Sequence, residues 1–101
     1  MINALFHYLT LPYRTRNRIR RCANIVSAIS EDNSDINTTI EKLIKNGEIG
    51  QAVDYLERKG EIENLSDREF WSELHTVAKD HKMKEKVILF ENKLQNLNKS
   101  S

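Results

Sequence analysis

Apolar residues return every third or fourth position along most of this chain, and the positions between them are dense with charge. That is the period of helices with one buried face. The pattern is clearest in the middle, where I-E-K-L-I-K-N-G-E-I (residues 40–49) is followed by G-Q-A and then V-D-Y-L-E-R-K-G-E-I (residues 53–62). The two decapeptides match in register: Ile40 with Val53, Leu43 with Leu56, Lys45 with Arg58, Gly47 with Gly60, Ile49 with Ile62. Each half predicts a short amphipathic helix stopped at a glycine that takes positive φ without steric cost.

The same spacing predicts the other elements. Ile2, Leu5, Phe6 and Leu9 share one side of a short helix over residues 2–9. Pro12 opens a second helix running to about Ile29, with Ile19, Cys22, Ala23, Val26 and Ile29 as its core stripe. Asp35 is positioned to cap a helix with stripe Ile36, Ile40, Leu43 and Ile44, stopped at Asn46-Gly47. The next carries Ile49, Ala52, Val53 and Leu56 and stops at Lys59-Gly60. Ser66-Asp67-Arg68-Glu69 reads as a capping box with a Leu65–Phe70 staple. The helix it starts should reach about His81, with Phe70, Trp71, Leu74, Val77 and Ala78 inward. A last helix over Lys84–Asn96 places Met83, Val87, Phe90, Leu94 and Leu97 at alternating steps of four and three. Two heptads are too few to assert a coiled coil. Ile88 and Leu89 lie off that seam, so the helix is either buried on more than one side or exposes apolar surface to another chain, and the run from Lys86 to Glu91 is also compatible with a short strand. From about Asn96 the chain is a polar tail expected to fray. The fold expected is all-α: a single domain over 1–101, an irregular bundle or solenoid-like stack of five to six short helices.

Residues 47–57 resemble the second-helix opening of tetratricopeptide-type repeats. The resemblance spans one helix, and the internal period is far shorter than the roughly 34 residues of that repeat. The chain is therefore assigned to no family.

Composition sharpens this picture. The chain has 101 residues, 39% apolar and 31% charged, against roughly 45–50% and about 25% in ordinary domains. Such excess charge suits helices with wide solvated faces, or a core completed on a partner. The single cysteine excludes an internal disulfide and a multi-cysteine metal site. Cys22 lies in the apolar stripe and reads as a structural thiol. No stretch reaches the 18 or so apolar residues of a membrane span, and the N-terminal apolar run lacks the flanks of a signal peptide. The expected address is cytoplasmic.

Net charge is only +1, but residues 1–30 carry five arginines and no acid, while the remainder is acidic. On the helical wheel Arg14, Arg18 and Arg21 line one flank of the apolar stripe, and Arg16 and Arg20 line the other. Several stand near the helix start, where the macrodipole disfavours cations. A stability-driven sequence seldom places them there. Guanidinium groups so arranged can grip carboxylates or phosphates bidentately. They could instead pair with the chain's own Glu31, Asp32 and Asp35.

His7, His75 and His81 form no metal-ligand spacing. Neither a glycine-rich phosphate loop nor a nucleophile–base–orienter set is present, so no catalysis, metal or cofactor is implied. The leading expectation is a non-catalytic protein-binding module, a class that includes immunity or antitoxin-type inhibitors and secretion chaperones. Arg14, Arg16, Arg18, Arg20 and Arg21 would be its charged contacts, and Ile88 and Leu89 its apolar ones. A nucleic-acid-binding accessory protein using the same arginines is the alternative. A peripheral membrane protein ranks third, and self-association through residues 83–97 is compatible with the seam.

Overall fold

The computed structural model describes residues 13–30 and 35–100. The described residues form five helices: α1 (Tyr13–Ile29), α2 (Ile36–Lys45), α3 (Ile49–Ile62), α4 (Arg68–Asp80) and α5 (Lys84–Ser100). No strand occurs among the described residues, so the run from Lys86 to Glu91 is helical. The helix expected over residues 2–9, and Pro12 itself, lie outside the described residues.

Successive helices reverse direction. Ser27 of α1 meets Asn37 at the start of α2, and Arg20 meets Glu41 further along. Thr15 at the start of α1 meets His81 just past α4, while Cys22 meets Phe70 near its beginning. Lys86 reaches Asp54, and Lys93 reaches Glu61. So α1, α3 and α5 run one way, and α2 and α4 the other. The result is a bundle, in which α1 packs against α2, α3 and α4 while α5 packs chiefly on α4.

The predicted stripes supply the core. Ile19, Cys22, Ala23 and Val26 are buried, as are Ile36, Ile40, Ile44, Ala52, Val53 and Leu56. From α4, Phe70, Trp71, Leu74, Val77 and Ala78 all face inward. Trp71 is the hub: Phe70 meets it edge-on at 4.8 Å and Phe90 lies 6.0 Å away. The Trp71 indole N–H donates to the Leu65 carbonyl at 2.8 Å, which satisfies its one polar atom. Among its described side chains α5 buries only Phe90 in full; Val87, Leu89, Leu94 and Leu97, with Met83 just before the helix, are half-buried against the rest. Ile29 departs from the expected stripe, for at the last position of α1 it is 49% exposed.

Three helices end in the same way. After α2, Glu48 N–H donates to Leu43 O (2.9 Å) and Gly47 N–H to Ile44 O (3.0 Å). After α3, Leu65 donates to Gly60 O (2.9 Å) and Asn64 to Glu61 O (3.0 Å). After α4, Met83 donates to Ala78 O (2.8 Å) and Lys82 to Lys79 O (3.2 Å). Each is a Schellman closure, with the pivotal residue at positive φ: Gly47 at 72°, Asn64 at 52° and Lys82 at 58°.

Four expectations are corrected by this geometry. Gly60 does not stop α3; the helix runs on to Ile62, and Asn64 makes the turn. Gly60 is instead a close-packing site, where an added Cβ would stand 2.7 Å from Phe70 Cε2 and 3.1 Å from Trp71 Cη2. The cap of α4 is Asp67 rather than Ser66, its side chain accepting from Phe70 N–H at 3.0 Å. Asp35 precedes α2 but makes no side-chain cap. Its backbone is already helical (φ −102°, ψ −11°), whereas a cap acceptor needs an extended residue, as at Asp67 (φ −73°, ψ 117°). Finally, α5 continues through Asn96 to Ser100.

Candidate functional site

The arginines of α1 come to three different fates. Arg18 and Arg21, one turn apart on the α4 side, each donate through Nη1 to the Glu73 carboxylate, one to Oε1 and one to Oε2. Arg21 also lies 3.9 Å from Glu69. On the other flank Arg20 forms a bidentate fork on Glu41, Nε to Oε2 at 2.7 Å and Nη2 to Oε1 at 3.0 Å. Arg16 is half-buried, with its guanidinium 5.8 Å from the centre of the Tyr13 ring. Arg14 is exposed, with no carboxylate partner among the described residues.

The acids that hold these arginines are helical residues rather than the loop acids expected. Asp35 pairs with none of them among the described residues, and Glu31 and Asp32 lie outside those residues. Glu73 is the residue the sequence pattern missed. Its side chain is 8% exposed. It projects from the buried face of α4, between Phe70 and Val77 in the three-and-four spacing, where an apolar side chain would be ordinary. A carboxylate at such a position requires cations, and α1 delivers two. The signal was there: an acid interrupting an apolar arc in a chain with a surplus of arginine.

Cys22 packs beneath this cluster. Its thiol donates to Phe70 O at 3.5 Å. Burial, reinforced by the Glu73 charge, pushes its pKa far above the ordinary thiol range. It is an inert structural group. His81 and His75 are engaged singly, with Thr15 and Glu91, each at 3.3 Å.

What remains open on α1 is its outer flank. Tyr13, Arg14, Asn17, Arg18 and Arg21 line a shallow depression of about 190 Å³ along the helix. Tyr13 is 69% exposed. The stripe offers one guanidinium with no carboxylate partner among the described residues, the outer edges of two paired ones, an amide and a ring with a hydroxyl. The expected apolar contacts Ile88 and Leu89 do not form a patch. Ile88 is 60% exposed, but Leu89 is half-buried against the core, since neighbours on a helix point about 100° apart. The exposed apolar side chains Tyr13, Ile29, Ile62 and Ile88 sit on separate elements or at opposite ends of one.

A second cluster bridges α3 and α5. Lys86 Nζ contacts both Asp54 (2.7 Å) and Glu57 (2.5 Å), and Lys93 reaches Glu61 at 2.6 Å while lying 4.9 Å over the Trp71 ring. Burial pulls the Lys86 pKa down, but the hydrogen bonds to Asp54 and Glu57 outweigh it and leave the group raised. This seam fastens α5 to the bundle. No protein-family model, curated protein or solved structure matches the chain.

Proposed function

We propose that the protein is a non-catalytic docking module that grips an acidic surface of a partner protein with the outer flank of α1. The observation that carries this reading is Arg14. It stands near the start of a helix, where a cation is disfavoured, and without a carboxylate among the described residues. Arg18, Arg20 and Arg21 are held by the chain's own acids. Beside Arg14 stand the exposed Tyr13 ring and Asn17. Tyrosine and arginine are the residues over-represented among the few that dominate binding energy at protein interfaces. Glu73 serves this site as a positioning residue, since it fixes Arg18 and Arg21 along the stripe and lowers the entropy lost on docking.

The internal pairing also separates this reading from the nucleic-acid alternative. Arginines neutralised by Glu73 and Glu41 contribute little to a phosphate-tracking stripe, and one neighbouring ring is thin for stacking on bases. The test is affinity capture from the cells that make the protein, with wild type, Arg14→Glu and Tyr13→Ala compared side by side. One stoichiometric protein should be retained by wild type and lost from both variants, whose melting temperatures stay unchanged. Recovery of nucleic acid alone, or equal capture by all three baits, overturns the proposal.

A further inference from the structure

Of the three closures, the one between α4 and α5 has the least support from its own sequence. Three residues make it: His81, Lys82 and Met83. The pivot is Lys82 at φ 58°, a left-handed backbone that is costly for a residue with a Cβ and that the equivalent turns give to Gly47 and Asn64. The start of α5 has no polar cap. Met83 stands there, its carbonyl accepting from Val87 N–H at 2.9 Å, whereas α4 is opened by the Asp67 side chain. From Arg68 to Glu91 the sequence holds no glycine, proline or asparagine. Local preference alone would make one continuous helix of this stretch.

What folds α5 back is its seat on α3 and α4. Phe90 is buried whole beside Trp71, with Val87, Leu89, Leu94 and Leu97 half-buried around it. The rest of the attachment is polar: Lys86 on Asp54 and Glu57, Lys93 on Glu61, Glu91 on His75. Every one of these α5 residues lies beyond the turn. The same contacts can therefore be made by α5 of a second copy, which is complementary to the seat by identity.

We propose that two copies of this chain exchange α5. The Lys82 turn opens, α4 and α5 join into one helix from Arg68 to Ser100, and α5 of each copy takes the seat on α3 and α4 of the other. The exchange keeps the Phe90 packing and the ion pairs. It relieves the left-handed lysine at both turns and runs the helical hydrogen-bond ladder through each. Against that stand the half-buried Met83, which packs beside Gly50 in the closed turn, and the entropy of association. The closed monomer is therefore the dilute form and the exchanged dimer the concentrated one. A short turn under backbone strain is the feature that tips a chain towards exchange. No residue of the Tyr13–Asn17 stripe takes part, so this inference stands or falls apart from the docking proposal. The dimer would carry that stripe twice, which makes the docking bivalent.

The test is refolding of the full chain from denaturant at concentrations from micromolar to millimolar, followed by size-exclusion chromatography with light scattering. Wild type should give a dimer fraction that grows with concentration. Lys82→Gly should weaken the dimer about a hundredfold, about tenfold at each of two turns, because glycine eases the left-handed pivot and is the poorer helix residue. The melting temperature of the monomer should rise in the same variant. Lys84→Pro should abolish the dimer and spare the monomer, since proline suits the first position of α5 but breaks a helix that continues through it. Exchange is told from surface contact by co-refolding two charge-reversed chains, one with Lys86→Glu and Lys93→Glu, the other with Glu57→Lys and Glu61→Lys. Exchange restores opposite charges at both seats of a mixed dimer, so the mixed dimer should form in preference to either chain with itself. Monomer at every concentration overturns the proposal. So does a dimer indifferent to Lys82→Gly and Lys84→Pro, or a mixture with no preference for the mixed dimer.

Discussion

The two matching decapeptides, residues 40–49 and 53–62, put their glycines to opposite uses. Gly47 lies outside α2 at φ 72° and turns the chain. Gly60 lies inside α3, buried, and lets the Phe70 and Trp71 rings approach the helix backbone. What separates them is the chain that follows. Past Gly47 the next apolar stripe begins at once with Ile49. Past Gly60 come Glu61, Ile62 and Glu63, then an asparagine that can make the same turn four residues later. Local sequence nominates the residues able to end a helix, and packing selects among them.

Gly60→Ala tests the packing half of that contrast and carries the largest expected effect. The new methyl meets two buried rings rather than flexible chain ends. Overpacking of this kind costs about 1–3 kcal/mol, and the better helix propensity of alanine returns about 0.5–1 kcal/mol. A net loss of up to about 2.5 kcal/mol is expected, read as a melting-temperature fall of about 4–8 °C per kcal/mol with a loss of near-ultraviolet signal from Trp71. Gly47→Ala tests the conformational half. There the left-handed backbone resists a side chain, and a loss of about 1 kcal/mol is expected with the Trp71 signal intact. A neutral Gly60→Ala would show that the rings yield and that the contrast is unreal.

The five described helices and most of their buried stripes were legible because a 3.6-residue period in apolar side chains survives whatever packs against it. The ends were less so. Ser66 and Asp67 are both competent caps, and the choice between them depends on where Phe70 must point to meet Trp71 and α3. The arginine cluster was legible as chemistry but not as geometry. Which guanidinium is neutralised depends on Glu73 and Glu41, and the wheel of α1 holds no information on either. Leu89 is half-buried against the core, and a wheel drawn for one helix cannot choose between that and an exposed position, since it does not show α5 packed against the remainder of the bundle.

Lys82 extends the comparison to a third helix end. With a lysine in the pivot that Gly47 fills for α2, the α4 closure holds conformational strain that glycine would relieve. Glycine also loosens the unfolded chain, which returns part of the gain. Lys82→Gly should therefore stabilise the fold by about 0.5–1 kcal/mol in chemical denaturation, with the slope against denaturant unchanged. A loss instead would mean that the lysine side chain supports the turn.

Asn64 completes the series with the smallest effect. Asparagine is among the residues with a Cβ that most readily visit the left-handed region, so its pivot stores little strain. Asn64→Gly should shift stability by no more than a few tenths of a kcal/mol, because relief in the folded state and added freedom in the unfolded chain nearly cancel. Asn64→Ala, lacking the polar side chain that eases this backbone, should fall between Asn64→Gly and Gly47→Ala. If Asn64→Ala proves as harmful as Gly60→Ala, the turn after α3 depends on the asparagine side chain itself, and the three closures are not equivalent. If it proves neutral, α3 can end at another residue, and Gly60 becomes available again as the stop that the repeat implies.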